Sequence, residues 1–172
     1  ELGYSEDDLK RLKAAGAIVI GFDVLFAEST SSEDDGRFAE AIQRAGNVVL
    51  ASDMVVQESG QFQMAMQVEP VPLLREAGAI TGLASISLDP DLVVRAMPQA
   101  AEAFWRRIVE AHAGATGGAE SRADLAPGSL VRYLGPDHAF RYVSYYQALD
   151  PERFLPPGTF AGKNIPFFSA RG

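Results

Sequence analysis

Hydrophobic and polar positions follow one recurring pattern in the first half of the chain. Leu12-Lys13-Ala14-Ala15-Gly16 leads into the apolar run Ala17-Ile18-Val19-Ile20-Gly21-Phe22-Asp23. Ile42-Gln43-Arg44-Ala45-Gly46 leads in the same way into Asn47-Val48-Val49-Leu50-Ala51-Ser52-Asp53, and Leu74-Arg75-Glu76-Ala77-Gly78 into Ala79-Ile80-Thr81-Gly82-Leu83-Ala84-Ser85. Each helical stretch thus stops at Ala-Gly, where glycine enters the left-handed conformation that ends a helix without a Cβ penalty. The runs that follow lack alternation, which suits strands buried on both faces. Helix and strand in turn, about thirty residues apart, are the logic of βαβ units. They predict an α/β fold with a mixed, largely parallel central sheet flanked by helices and joined by right-handed crossovers.

The helix starts are marked as well. Ser5 with Asp8 reads as a capping box, and Asp34 or Asp35 can cap a second helix carrying Phe38, Ala41, Ile42 and Ala45 on one face. Pro70 and Pro72 flank a third helix start, where a missing N–H costs little. The rhythm then changes. Phe62, Met64, Met66 and Val68 alternate with Gln61, Gln63, Ala65 and Gln67, which predicts a half-buried strand antiparallel to its neighbour, with the Met64/Met66 stripe in the core. Asp89-Pro90-Asp91 reads as a turn before a strand over Leu92–Met97. A helix is expected from Ala101 to Ala113, with Phe104, Trp105, Ile108, Val109 and His112 on one face, followed by a loop from Gly114 to Gly128. Leu130–Leu134 reads as a strand and Ser144 with Gln147 as a capping box. Gly162–Ser169 reads as a last strand that Pro166 confines to an edge or shortens. Antiparallel additions are therefore expected in the middle and C-terminal parts.

Composition narrows the function. The 172 residues are 47% apolar and 22% charged, a globular balance that fits one domain over residues 1–172. Fifteen basic against 23 acidic side chains leave a net charge of −8. That argues against binding nucleic acid, which needs clustered cations, and against docking on anionic lipid. Residues 1–60 hold 12 acids and 5 bases, the remainder 11 and 10, so the acidic excess lies in the first third. It reads as a solvated face in preference to a cation site. The absence of cysteine excludes thiol catalysis and disulfides and leaves the redox compartment open. No apolar run reaches transmembrane length, and no signal peptide is visible. Glu1 in place of Met, and an end at Gly172 just after an apolar segment, are expected of a piece of a longer protein.

The chain has no G-x-G-x-x-G after its first strand, no phosphate-cradling P-loop and no G-x-S-x-G elbow. His112 and His138 lack the spacing of a metal pair and read as a core and a turn histidine. No cofactor or metal is expected. The stretch Glu28–Asp35 lacks the spacing of a calcium loop and reads as a capped helix start.

Asp23 is the carboxylate of most interest, because it interrupts a long apolar run. Ligands of open α/β sheets bind outside the carboxyl ends of the strands, and there Asp23, Asp53 and Ser85 (or Ser87) end three predicted strands. These three, with Arg95, are the candidate ligand-binding residues. Arg95 follows Val93-Val94 inside an apolar segment and needs a carboxylate partner, for which Asp23 and Asp89 are candidates; an anionic ligand is the alternative. A sharper alternative for Asp23 is an aspartyl-phosphate nucleophile of a small phosphoryl-transfer or hydrolytic enzyme. Leu25 stands where the second Asp of the usual D-x-D would be, and the structural reading of Asp23 is favoured.

The stretch Ala17-Ile18-Val19-Ile20-Gly21-Phe22-Asp23-Val24-Leu25-Phe26-Ala27-Glu28 resembles the opening of the type-two CHASE domain (cyclases/histidine kinases associated sensory extracellular). The resemblance continues through Asp34-Asp35, Phe38-Ala39-Glu40-Ala41-Ile42, Ala45-Gly46-Asn47-Val48-Val49-Leu50-Ala51 and Asp89-Pro90-Asp91-Leu92-Val93-Val94-Arg95. Tyr133-Leu134-Gly135-Pro136, Val143-Ser144-Tyr145 and Phe160-Ala161-Gly162-Lys163 follow in the family's order. Leu92 stands where the family usually has Gly, and Ile165-Pro166-Phe167-Phe168-Ser169 departs from its usual apolar-apolar-Gly ending. The resemblance implies a non-catalytic, extracytoplasmic (periplasmic or extracellular) input domain of a membrane-bound bacterial signalling protein. Transmembrane helices and a cytoplasmic adenylate or guanylate cyclase, or a histidine or Ser/Thr kinase, would follow. It implies a homodimer formed through the parent protein and an unidentified extracytoplasmic stimulus, with no nucleic-acid partner.

Overall fold

The computed structural model describes residues 6–59, 62–118, 126, 128–136, 139 and 142–168. In chain order the elements are α1 (Glu6–Ala14), β1 (Val19–Asp23), α2 (Ser32–Ala45), β2 (Val48–Ser59), β3 (Phe62–Val68), α3 (Pro72–Glu76), β4 (Ile80–Leu83), α4 (Phe104–Thr116), α5 (Tyr145–Leu149), α6 (Pro151–Phe154) and β5 (Asn164–Phe168). They form a mixed α/β fold around a five-stranded, mostly parallel sheet. β1 lies between β2 and β5 and is parallel to both, and β4 is parallel to β2. The alternating segment forms β3, antiparallel to β2, as its period of two predicts.

The three Ala-Gly junctions behave as their chemistry requires. Gly16, Gly46 and Gly78 sit at φ 90°, 69° and 94°, and the Gly46 N–H closes α2 on the Ile42 carbonyl. Lys13 at the end of α1 donates to the carbonyls of Arg44 (3.1 Å) and Ala45 at the C-terminus of α2, a cation where the helix dipole is negative. Asn47, directly after the second glycine, donates through Nδ2 to the Ile18 carbonyl at 2.6 Å and so ties the entry of β2 to that of β1.

Strand alternation divides the core between the sheet's two faces. Ile20, Phe22, Val48 and Leu50 pack with Leu9 and Leu12 of α1, Phe38 and Ile42 of α2, Leu74 of α3 and Ala148 of α5. Phe22 anchors this side, stacked on Phe167 and edge-on to Phe26 and Phe38. The other face is covered by α4, which touches β1, β2 and β4. It approaches closely because small residues lie beneath it: a Cβ on Gly82 would stand 2.6 Å from the Phe104 Cα, and one on Gly21 would meet the Ile108 Cδ1 at 3.0 Å.

Several expectations change. Ser31, not Asp34 or Asp35, caps α2, accepting from the Asp34 N–H at 3.0 Å; Asp35 instead accepts from the Thr30 hydroxyl at 2.8 Å. Ser5 lies outside the described residues. The α4 helix starts at Phe104 and runs past Ala113 to Thr116, into the expected loop, of which residues 119–125 and 127 lie outside the description. Leu92–Met97 and Leu130–Leu134 are not strands. They meet only at the antiparallel bridge Ala96↔Leu130, flanked by Val131 N–H to Arg95 O at 2.7 Å and Met97 N–H to Ser129 O at 3.1 Å. A two-bond contact with no third strand to extend it does not make a ladder, and this is the antiparallel addition of the later chain. β5 forms and pairs parallel with β1 at the edge of the sheet, where Pro166 is tolerated. The Ser144–Gln147 capping box opens α5, with Ser144 N–H to Gln147 Oε1 at 3.1 Å. The β3 strand is exposed, not half-buried, from Phe62 through Gln67, so the methionine stripe is not core.

Candidate functional site

The carboxyl ends of β1, β2 and β4 form one rim of the sheet, and three of the four candidate residues stand on it. Asp23 closes β1, and Asp53 follows the buried run Val48–Ser52 within β2. Ser85 comes two residues after β4. Its hydroxyl donates to Asp53 Oδ1, and the Met54 N–H donates to Ser85 Oγ at 3.1 Å and to Asp53 Oδ1 at 2.8 Å. Asp53 and Ser85 therefore lock the end of β4 to the point where β2 leaves the parallel sheet. Ser87 is exposed and takes no part in this network.

Asp23 faces this pair electrostatically. Partial burial, with repulsion from the Asp53 carboxylate second, raises its pKa above the ordinary carboxylate value. Among the described residues no ion pair is formed by Asp23, and Arg95 pairs with Asp91 and Asp89 instead. The α4 helix begins beside the same rim: the Leu83 N–H donates to the Glu102 carbonyl at 2.7 Å, and Leu83 bridges to Ala103.

Arg95 is elsewhere. It lies in the irregular segment after β4, exposed, with a bidentate pair to Asp91 (Nη1–Oδ1 and Nη2–Oδ2, both 2.7 Å) and a bond to Asp89 Oδ2 at 2.8 Å. The Asp89 pairing expected from the sequence forms, and the Asp23 pairing does not. The surrounding Val93-Val94 suggested a strand interior, but a local acidic turn holds the guanidinium. Hydrogen bonding to Arg95 lowers the Asp91 pKa, and the pairing with Asp91, then Asp89, raises that of Arg95. At the apex of this turn Leu92 has φ 64°, the left-handed conformation that glycine adopts freely and leucine does not.

The histidines hold no reactive geometry in view. His112 is partly buried on α4, with Nδ1 2.9 Å from Asn164 Oδ1 of β5, and His138 lies outside the described residues. Among the described residues no three His, Asp or Glu side chains cluster closely enough to hold a metal ion, and no helix is long and apolar enough to cross a membrane. A crevice too tight for a water molecule lies on the opposite side of the sheet, between α1, α5 and β5. Tyr145 of α5 stands in it. Its hydroxyl donates to Asp8 Oδ2 of α1 at 3.2 Å, and its ring meets Phe167 of β5 edge-on at 5.6 Å. Sequence reasoning passed over this residue: a tyrosine one position past a capping serine carries no local sign of the two distant segments it joins.

Fold and rim together define an α/β domain whose recognisable polar groups chiefly tie strand ends and turns to one another. A model of the CHASE2 domain matches residues 6–165, and the chain belongs to that family of sensory domains found in signalling proteins. No curated protein and no solved structure gives a significant match.

Proposed function

We propose that this domain is the extracytoplasmic signal-input module of a membrane-bound bacterial signalling protein, and that it regulates a downstream adenylate or guanylate cyclase or a kinase. The observation that carries the reading is the family match over residues 6–165. The absence of recognisable reactive motifs from the sequence supports it. In this reading the domain performs no chemistry. A stimulus binds one arrangement of the rim better than another and shifts the population of two states of the parent protein by that difference in affinity. Asp23, Asp53 and Ser85 are the groups proposed to meet the stimulus, because they converge where α/β sheets take their ligands. Arg95, held by Asp89 and Asp91, shapes the neighbouring turn.

Two measurements test this. The parent sequence beyond Gly172 should show apolar segments of about 20 residues and then a cyclase or kinase domain. A continuation with neither sinks the reading. A thermal-shift screen of amines, amino acids, carboxylates and divalent cations should yield a ligand that raises the unfolding midpoint by about 5–10 °C at a hundredfold excess over its Kd. Asp53→Asn should remove that shift. A ligand whose effect is untouched by Asp23→Asn, Asp53→Asn and Ser85→Ala binds elsewhere and removes the rim from the proposal.

A further inference from the structure

After Ser52, β2 leaves the parallel sheet and continues with β3 as a two-stranded ribbon, from Asp53↔Val68 to Ser59↔Phe62. At a strand's rise per residue this ribbon is about 20 Å long. Cross-strand partners share a face, so the register places Val55, Met66, Met64 and Phe62 together with Gln57 and Ser59, and Val68 and Asp53 at the base. The opposite face carries Met54 and Val56 interspersed with Ala65, Gln63 and Gln67. The first face is apolar and uncovered: Phe62 is 78% exposed, Met64 58%, Met66 51% and Val55 42%.

We propose that this face is the surface through which two copies of the chain associate, ribbon face against ribbon face. Three observations select a second copy as the occupant. The first is area. The four side chains present on the order of 500 Å² to solvent, near the top of what a monomer leaves open, so a symmetric pair buries roughly 1,000 Å², the lower bound of a specific interface. The second is charge. Beyond Asp53 at its base, the ribbon carries one charged residue, Glu58, and the register puts that on the opposite face, in a chain of net charge −8. The ribbon is therefore a stretch along which two such acidic molecules approach with little like-charge repulsion. The third is architecture. A lone two-stranded ribbon is marginal in water, whereas two stacked ribbons make a four-stranded sandwich with a shared interior. A two-fold axis meets these conditions, because the same face supplies both sides. A bilayer is the weaker occupant: the apolar positions run along the ribbon instead of gathering at its tip, and no Lys or Arg flanks them for anionic headgroups.

Sedimentation equilibrium of the 172-residue chain tests this. The wild type should form a dimer in the micromolar range. Met64→Gln with Met66→Gln should weaken it at least tenfold with the circular dichroism unchanged, and Val56→Thr on the opposite face should leave it intact. Because the chain has no cysteine, single substitutions give a second, independent readout. Gln57→Cys, paired with Met64 near the middle of the face, should cross-link copies on oxidation, and Val56→Cys should not. A wild type that stays monomeric at 100 µM overturns the proposal, as does a dimer indifferent to the double substitution or one that Gln57→Cys fails to link. Monomers that instead co-sediment with phosphatidylglycerol vesicles through Phe62 overturn it in favour of a membrane contact.

Discussion

Replacing Gly82 by Ala tests the claim that α4 rests directly on the sheet. The new Cβ would stand 2.6 Å from the Phe104 Cα, a backbone atom that cannot rotate away. Carbon atoms pack at about 3.5–4.0 Å, so α4 or β4 must shift by roughly 1 Å. Overpacking of this kind costs about 1–3 kcal/mol, and the reduced freedom of the unfolded chain returns about 0.5–1 kcal/mol. The net expectation is a loss of about 1 kcal/mol, which for a chain of this size lowers Tm by about 2–4 °C. Gly36→Ala supplies the control. Gly36 lies inside α2 with no atom within 4 Å of its added Cβ, so the same substitution should stabilise by about 1 kcal/mol and raise Tm by about 2–4 °C. Gly21→Ala should fall between them, since its neighbours are the flexible ends of Ile108 and Phe104. Thermal and urea unfolding of the three variants at one protein concentration measure the order. A Gly82→Ala protein as stable as the wild type would refute the close packing of α4.

Further outcomes follow from the caps and charges. Because the folded pKa of Asp23 is raised, its favourable contribution is present only below the unfolded pKa and is lost as pH rises through the folded one. Asp23→Asn should therefore be more stable than the wild type at pH 7, with the gap closing toward pH 3.5 in urea titrations. Leu92→Gly should stabilise by about 0.5 kcal/mol, because the ~1–2 kcal/mol cost of a left-handed leucine exceeds the ~0.4–1 kcal/mol of added unfolded-chain freedom; unfolding midpoints check it. Ser31→Ala should cost about 1 kcal/mol by removing the α2 cap, and Asp34→Ala should cost less, read by the same denaturant titration.

The parallel sheet was legible because its signals are local: an Ala-Gly junction is complete within a few residues, and the first two apolar runs are buried on both faces as they announce, whereas β4 is buried only at Gly82. The convergence of Asp23, Asp53 and Ser85 was legible for the same reason, since strand ends in a parallel sheet share a rim. What failed required knowledge of a neighbour. Alternation from Phe62 to Val68 shows that one face of the strand is apolar, but not that the rest of the chain leaves that face uncovered. The valines beside Arg95 imitate a strand interior, whereas the acids that hold it lie four and six residues back in its own turn. At the start of α2 the sequence offered Asp34 or Asp35 as the cap, and the geometry assigns that role to Ser31 and turns Asp35 to Thr30.

The tyrosine between α1 and β5 has a mechanical consequence. The first turns of the opening helix and the end of the closing strand are joined there by a hydrogen bond at 3.2 Å and a ring contact at 5.6 Å, whereas β1 and β5 are stitched along five registered positions. Tyr145 thus ties the helix at one end of the described chain to the strand at the other by a route that does not pass through the ladder, so that α1 and β5 are held to each other through α5 as well as through the sheet.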